Sequence, residues 1–303
     1  MAVLVRTRDL GETARHLLAV LQRGLGYDLF ACVEAAQQPP GDLPEGVGLL
    51  RHNAADLAAF GLVEALPEAD YRGAELLWYF GDYAWYASAT AIPDYDHYLI
   101  VDERLAFCRD SPLFIEALVR RLSGDADGAF DLVSTWLDTR SPAWLWHADT
   151  AAVFGQVHGM FAPLVALSRR AVAHLFDWRR REAEGDARRL FWEALVPTAL
   201  MAAGGFRCAD VNMLLPGAWS AEHFPSPAPM LLGVLPPLPP TIEMVYPVLA
   251  ERDYLTWLLE ESRASGTLAD LVGRLAPGGD LDVSEPARAW FLRAALQGME
   301  TAG

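Results

Sequence analysis

Ala2-Val-Leu-Val5, then Ala14, Leu17, Leu18 and Leu21 at helical spacing, then Tyr27-Asp-Leu-Phe-Ala-Cys-Val33 decide the fold class. The first run reads as a short apolar strand. Asp9 is placed to cap the helix that follows, and Gly24 and Gly26 to stop it. The second apolar strand ends in polar residues and Pro39-Pro40. Strand, crossover helix, strand is the opening of a parallel α/β sheet. Tyr98-Leu-Ile-Val101 is the next buried strand, and it ends in Asp102-Glu103. In open α/β sheets the carboxyl ends of the strands are where ligands bind.

Outward from that frame, Ala74 to Ala89, with Trp78, Tyr79, Tyr83, Trp85 and Tyr86, reads as an aromatic core helix. Leu164 to Leu175 and Arg188 to Ala203 also read as helices, the second closing at Gly204-Gly205. Tyr254 to Ser262 and Ala287 to Met299 read as peripheral helices joined by a glycine-rich turn at Pro277-Gly-Gly. The expectation is one catalytic-type α/β domain over residues 1–250 and a helical extension over 251–303 packed on it.

The 303 residues are 52% apolar and 21% charged, a globular composition that excludes a disordered or fibrous chain. Forty acidic against 24 basic residues leave a net charge of -16, a field that repels a phosphate backbone and disfavours nucleic-acid binding. Every basic residue is Arg. Cys32, Cys108 and Cys208 are odd in number and far apart, which fits neither a disulfide framework nor a zinc site and points to a reducing cytoplasm. The apolar run Ala2–Val5 is too short for the core of a secretory signal. Thr150 to Ser168 is uncharged, but Gly155, Gln156, His158, Gly159 and Pro163 make it a buried core segment rather than a membrane span. Phe224 to Ile242 carries Pro225, Pro227, Pro229, Pro236, Pro237, Pro239 and Pro240 and reads as an extended loop.

Signatures of P-loop enzymes, serine hydrolases, zinc proteases and dinucleotide-binding dehydrogenases are missing. Several segments remain, in order. They are Trp78-Tyr-Phe-Gly-Asp82-Tyr-Ala-Trp-Tyr86; Ile92-Pro-Asp-Tyr-Asp96-His-Tyr-Leu-Ile-Val-Asp102-Glu-Arg104-Leu-Ala-Phe107; Gly159-Met-Phe-Ala-Pro-Leu-Val-Ala-Leu-Ser168-Arg169-Arg-Ala171; Trp192-Glu193-Ala-Leu-Val-Pro197-Thr198; and Met244-Val-Tyr246-Pro247-Val248. Taken in that order over residues 1–250, they resemble a group of bacterial proteins with the GT-A type nucleotide-diphospho-sugar transferase fold. The resemblance implies a mostly parallel mixed sheet flanked by helices. It also implies a glycosyltransferase that moves a sugar from a nucleoside diphosphate sugar to a saccharide or lipid-linked acceptor for surface polysaccharide. The rival is a catalytically inactive sugar-nucleotide or saccharide-binding protein on the same fold.

In such relatives the strand ends in an acidic-x-acidic motif that holds a divalent metal, Mn or Mg, against the leaving diphosphate. Here the first acid aligns with Asp102, but the second position falls on Arg104. Three readings stay open: Asp102 and Glu103 hold the metal as adjacent acids, Arg104 itself neutralises the diphosphate, or the site has decayed. Adjacent strand residues point to opposite faces, so the first reading needs the strand to be bending already. A planar guanidinium pairs bidentately with phosphate, which suits the second. A fourth alternative is a solvated charged turn.

Glu193 lies where the family places a carboxylate facing the acceptor, as general base; its structural alternative is a helical Glu paired to Arg188 or Arg189. Asp82 is a candidate for the nucleotide ribose, or simply a polar position on an apolar helix. Ser168 and Arg169 are candidate phosphate donors, with a solvated helix surface as the alternative. His147 and His223 each adjoin tryptophans that stack on a sugar or base, or are core histidines. An unrelated α/β enzyme built on either His is a third class. Where the family shows His-Pro-Val this chain has Tyr246-Pro247-Val248, a loss that agrees with an altered metal site. The aromatic segments and the proline-rich loop equally fit a homodimer interface.

Overall fold

The computed structural model describes residues 1–7, 10–23, 26–34, 43–52, 54–62, 76–108, 111–123, 129–185, 189–222, 224, 228–235, 238, 240–276, 281 and 283–300. The main sheet contains β1 (Ala2–Thr7), β2 (Asp28–Glu34), β3 (Gly48–His52), β4 (His97–Asp102), β6 (Leu132–Thr139), β7 (His158–Ser168) and β8 (Cys208–Asp210). Two small ladders pair β5 (Ala106–Phe107) with β10 (Met244–Val245) and β9 (Met230–Leu231) with β11 (Val248–Leu249). The helices are α1 (Glu12–Gln22), α2 (Ala54–Ala59), α3 (Leu76–Tyr79), α4 (Tyr83–Ala91), α5 (Ser111–Ser123) and α6 (His147–Phe154). They continue with α7 (Arg169–Glu184), α8 (Trp192–Ala203), α9 (Val211–Leu214), α10 (Glu251–Ser265), α11 (Leu268–Leu275) and α12 (Glu285–Glu300). None among the described residues is long and apolar enough to cross a membrane.

The sheet order is β3-β2-β1-β4-β7-β6-β8, and all strands run parallel except β7, which is antiparallel to both of its neighbours. This is the mostly parallel mixed α/β sheet that the sequence implied. The period-2 alternation of β1 and β4 sorts their side chains between two cores. Ala2, Leu4, Tyr98 and Ile100 pack under α4, α7 and α8, whereas Val3, Val5, Leu99 and Val101 pack under α1 and α5.

Three expectations are corrected. The aromatic stretch is two helices, α3 and α4, with Phe80, Gly81 and Asp82 between them. Gly81 packs so tightly that an added Cβ would lie 2.4 Å from the Trp192 ring and 2.5 Å from Arg6 Nη1. Leu164 to Ser168 is the end of β7 and not the start of a helix; an unbroken apolar run suits either state, and Ser168, accepting from Ala171 N–H at 3.2 Å, sets the helix start at Arg169. Phe191 caps α8, so that helix starts at Trp192 rather than near Arg188, which lies outside the described residues. Asp9, Gly24, Pro39-Pro40 and the Pro277-Gly-Gly turn lie outside them too.

The fully buried Arg179 of α7 ties the aromatic layer together. It donates to Asp82 at 2.7 and 3.0 Å, to Glu182 at 2.7 Å and to the Leu190 carbonyl at 2.8 Å, and lies over the Phe80 ring. Helices α10–α12 form a smaller core around Leu255, Leu271 and Phe291. The starts of α10 and α1 cap each other: Asp253 accepts from Thr13 N–H at 2.9 Å, and Thr13 Oγ1 accepts from Ala250 N–H at 2.9 Å.

Candidate functional site at the β1–β4 switch

Strand order reverses between β1, which continues to β2 and β3, and β4, which continues the other way. In an open α/β sheet the crevice at the carboxyl ends of two such strands is the place for a ligand. Arg6 near the end of β1 and Asp102 at the end of β4 are register partners there. Arg6 Nη2 donates to Asp102 at 3.0 Å, and Arg104 reaches the same carboxylate through its backbone N–H at 3.1 Å, Nε at 3.0 Å and Nη2 at 3.3 Å. Arg6 lies over the Trp192 ring, 5.0 Å from its centroid, and Arg104 over Tyr246 at 5.3 Å. Asp102 is buried, whereas the Arg104 side chain is 42% exposed. Burial acts to raise the Asp102 carboxyl, but Arg104 and then Arg6 overcome it and bring it down to about 2. Asp102 also strengthens the Arg104 cation. Two guanidiniums thus flank one carboxylate, and the Glu103 charge also acts on Arg104.

Glu103 does not join Asp102. Alternation along β4 continues, so Glu103 falls on the opposite face, where the Thr7 hydroxyl donates to it and its backbone N–H donates to Arg6 O at 3.1 Å. The pair expected to hold Mn or Mg does not converge, and a cation beside Asp102 would face Arg6 and Arg104. No cluster of three His, Cys, Asp or Glu among the described residues could hold a metal ion. These residues do not fit a divalent metal.

Glu193, in the first turn of α8, lies over β7, and its carboxylate accepts from Ala162 N–H at 3.0 Å. Burial pushes its carboxyl up to about 7, opposed by the Ala162 hydrogen bond and by the charges of Arg6 and Arg140, and assisted by Asp102. Of the arginines expected to pair with it, Arg189 donates to Gly185 O at 3.1 Å at the end of α7, and Arg188 lies outside the described residues. Thr198 fixes α8 on β7 by accepting from His158 N–H at 2.9 Å and donating to His158 O at 2.8 Å.

Other expected residues lie elsewhere. Asp82 is fully buried, and its acceptors are taken by Arg179 and by the Tyr86 hydroxyl at 2.7 Å, so it has no face for a ribose. Ser168 and Arg169 sit where antiparallel β7 ends, beside His97 at the start of β4. That is the opposite edge of the sheet from Asp102, about 17 Å along the strand. Ser168 donates to Asp131 at 2.7 Å and Arg169 to Tyr95 O at 2.9 Å. His147 begins α6, in the connection from the end of β6 to the start of β7, and His223 lies outside the described residues. The sequence reading missed Arg6 and Trp192. A charged residue ending the buried run Ala2–Val5 was the available signal for Arg6.

No protein-family model matches the chain, and no curated protein matches it. Among solved structures it is similar to the galactosyltransferase LgtC in complex with donor and acceptor sugar analogues, at 14% identity over 69% of this chain and 73% of that one, with a TM-score of 0.42. It is similar also to an active-site mutant of LgtC, at 14% identity, 69% and 72% coverage and a TM-score of 0.38. Mouse xyloside xylosyltransferase 1 in its apo form matches at 14% identity, 77% and 87% coverage and a TM-score of 0.39.

Proposed function

We propose that the chain is a glycosyltransferase-like protein that binds a nucleoside diphosphate sugar at the β1–β4 crevice and transfers the sugar to a saccharide or lipid-linked acceptor. The Arg6–Asp102–Arg104 cluster carries this reading. As the glycosidic bond breaks, negative charge builds on the leaving diphosphate, and fixed cations there stabilise the transition state more than the ground state. Arg104 supplies the more exposed cation, Asp102 holds both guanidiniums in place, and the aromatic faces of Trp192 and Tyr246 limit their motion. Glu193 takes the acceptor hydroxyl proton as the anomeric carbon is attacked; a carboxyl that titrates near 7 is matched to that task.

A second reading, a non-catalytic sugar-nucleotide or saccharide-binding protein, is favoured by one observation: Asp102 already occupies Nε and one Nη of Arg104. In either reading residues 1–250 form the nucleotide unit with 251–303 docked through α10, and cysteines outside any disulfide suit the cytoplasm. A thermal-shift panel of nucleoside diphosphates and their sugars, each with manganese and with chelator, tests the assignment. A nucleotide at a hundredfold excess over its Kd stabilises by about 2.7 kcal/mol. The result expected is stabilisation by one nucleotide irrespective of chelator. Response to none removes the transferase reading and leaves only saccharide binding of the second, and stabilisation without sugar transfer selects the second.

A further inference from the structure

Strand β6 loses regular pairing as it reaches the crevice. Its register with β7 shifts between Ser134 and Thr135 and again between Thr135 and Asp138, and Trp136 has φ 53°. A left-handed backbone at so bulky a residue is strained and persists only where its surroundings hold it, a pattern concentrated at functional sites. Here Leu137 N–H donates to Asp210 at 2.9 Å, and Arg140 Nη2 donates to the Trp136 carbonyl at 2.8 Å. The outcome is a half-buried guanidinium lying over two rings, Trp136 at 5.9 Å and Trp144 at 5.2 Å. Gly159 allows this approach, since an added Cβ would stand 2.5 Å from Arg140 Nε.

Unlike Arg6 and Arg104, Arg140 has no ion pair among the described residues. Asp138 and Glu193 act on its charge from a distance, and its Nε is buried with no partner among the described residues. A partly desolvated cation with an unused donor costs free energy that an anionic oxygen placed against it would offset. Its place across the sheet indicates which substrate would bring that anion. Arg6 and Asp102 belong to β1 and β4, Glu193 covers β7, and Arg140 follows the end of β6 on the far side.

We infer that the acceptor saccharide carries an anionic group, a carboxylate or a phosphate ester, which Arg140 reads beside the rings of Trp136 and Trp144. This rests on the transferase-like reading above, because it takes Glu193 as the boundary between donor and acceptor. The overall charge of -16 restricts the ligand to a local anion rather than a polyanion.

Calorimetric titration with glucuronic acid, glucose 6-phosphate and glucose tests it, and the first two separate carboxylate from phosphate. At least one anionic sugar is expected to bind about tenfold or more tighter than glucose, with the preference lost in Arg140→Gln and partly kept in Arg140→Lys. Equal binding of all three, detectable binding of none, or a preference that survives in Arg140→Gln overturns it. The wild-type preference alone decides the matter should either variant fail to fold. A nucleoside diphosphate titrated into the same wild-type sample separates the two failures. Nucleotide binding without an anion preference sinks this inference alone, and loss of both sinks the transferase-like reading with it.

Discussion

Asp102→Asn removes the carboxylate on which Arg6 and Arg104 converge while leaving its shape almost unchanged. Burial works to raise that carboxyl, yet Arg104 and Arg6 bring it from 3.8 to about 2. At 1.36 kcal/mol per pK unit, ionised Asp102 contributes about 2 kcal/mol to folding at neutral pH. Because the folded value is the lower one, the contribution is complete above about pH 5 and is lost as pH falls toward 2. A neutral Asn forfeits it at pH 7 and has no such charge left to lose in acid. Urea unfolding should therefore find the variant less stable by about 2 kcal/mol at pH 7 and by only about 1 kcal/mol at pH 3. A gap that is absent at pH 7, or that fails to narrow in acid, refutes the reasoning. The same variant separates two accounts of diphosphate binding: if the guanidiniums hold the anion, Asp102→Asn still binds nucleotide, whereas an Asp102-held metal would take binding away with it.

Glu193 carries the opposite sign. Burial raises its carboxyl from 4.5 to about 7, so stability present below pH 4.5 is lost as pH rises through 7. Glu193→Gln should exceed wild type by up to about 3 kcal/mol at pH 8 and match it near pH 4 in urea titrations, while transfer falls by roughly 10²–10⁴-fold; equal stability at both pH values would count against a buried carboxyl. Arg179→Met leaves Asp82 and Glu182 buried without their countercharge and should cost about 3–5 kcal/mol, seen as a lowered Tm; a cost under about 1 kcal/mol would mean the network is dispensable. Burial pushes the Cys32 and Cys208 thiols up to about 11 and about 12, so alkylation of folded protein at pH 8 should leave both unmodified by peptide mass spectrometry, with labelling only after unfolding.

Much of the frame was legible because β1, β2 and β4 are short, carry buried apolar runs and are bounded by turn residues, the conditions under which apolar runs announce strands. Phe161–Leu167 shows the limit: an uninterrupted apolar run carries no period, and only the Ser168 cap marks where β7 becomes α7. Antiparallel β7 also explains why Ser168 and Arg169 were misplaced, since sequence order gives no strand direction. Asp102 and Arg104 were legible as a charged end to a buried strand. Their shared ion pair with Arg6 was not, because it joins positions 96 residues apart across a ladder that only the sheet order defines. Asp82 looked available for the same reason, as its partner Arg179 lies 97 residues away.

Titration of the nucleotide found in the panel into wild type and Arg104→Ala, both in chelator, addresses the central claim most directly. The guanidinium account predicts wild-type binding that manganese does not improve and that Arg104→Ala weakens by about tenfold or more, the size of a charge-assisted hydrogen bond to phosphate. Binding that appears only with manganese, or that is unaffected by loss of Arg104, contradicts it.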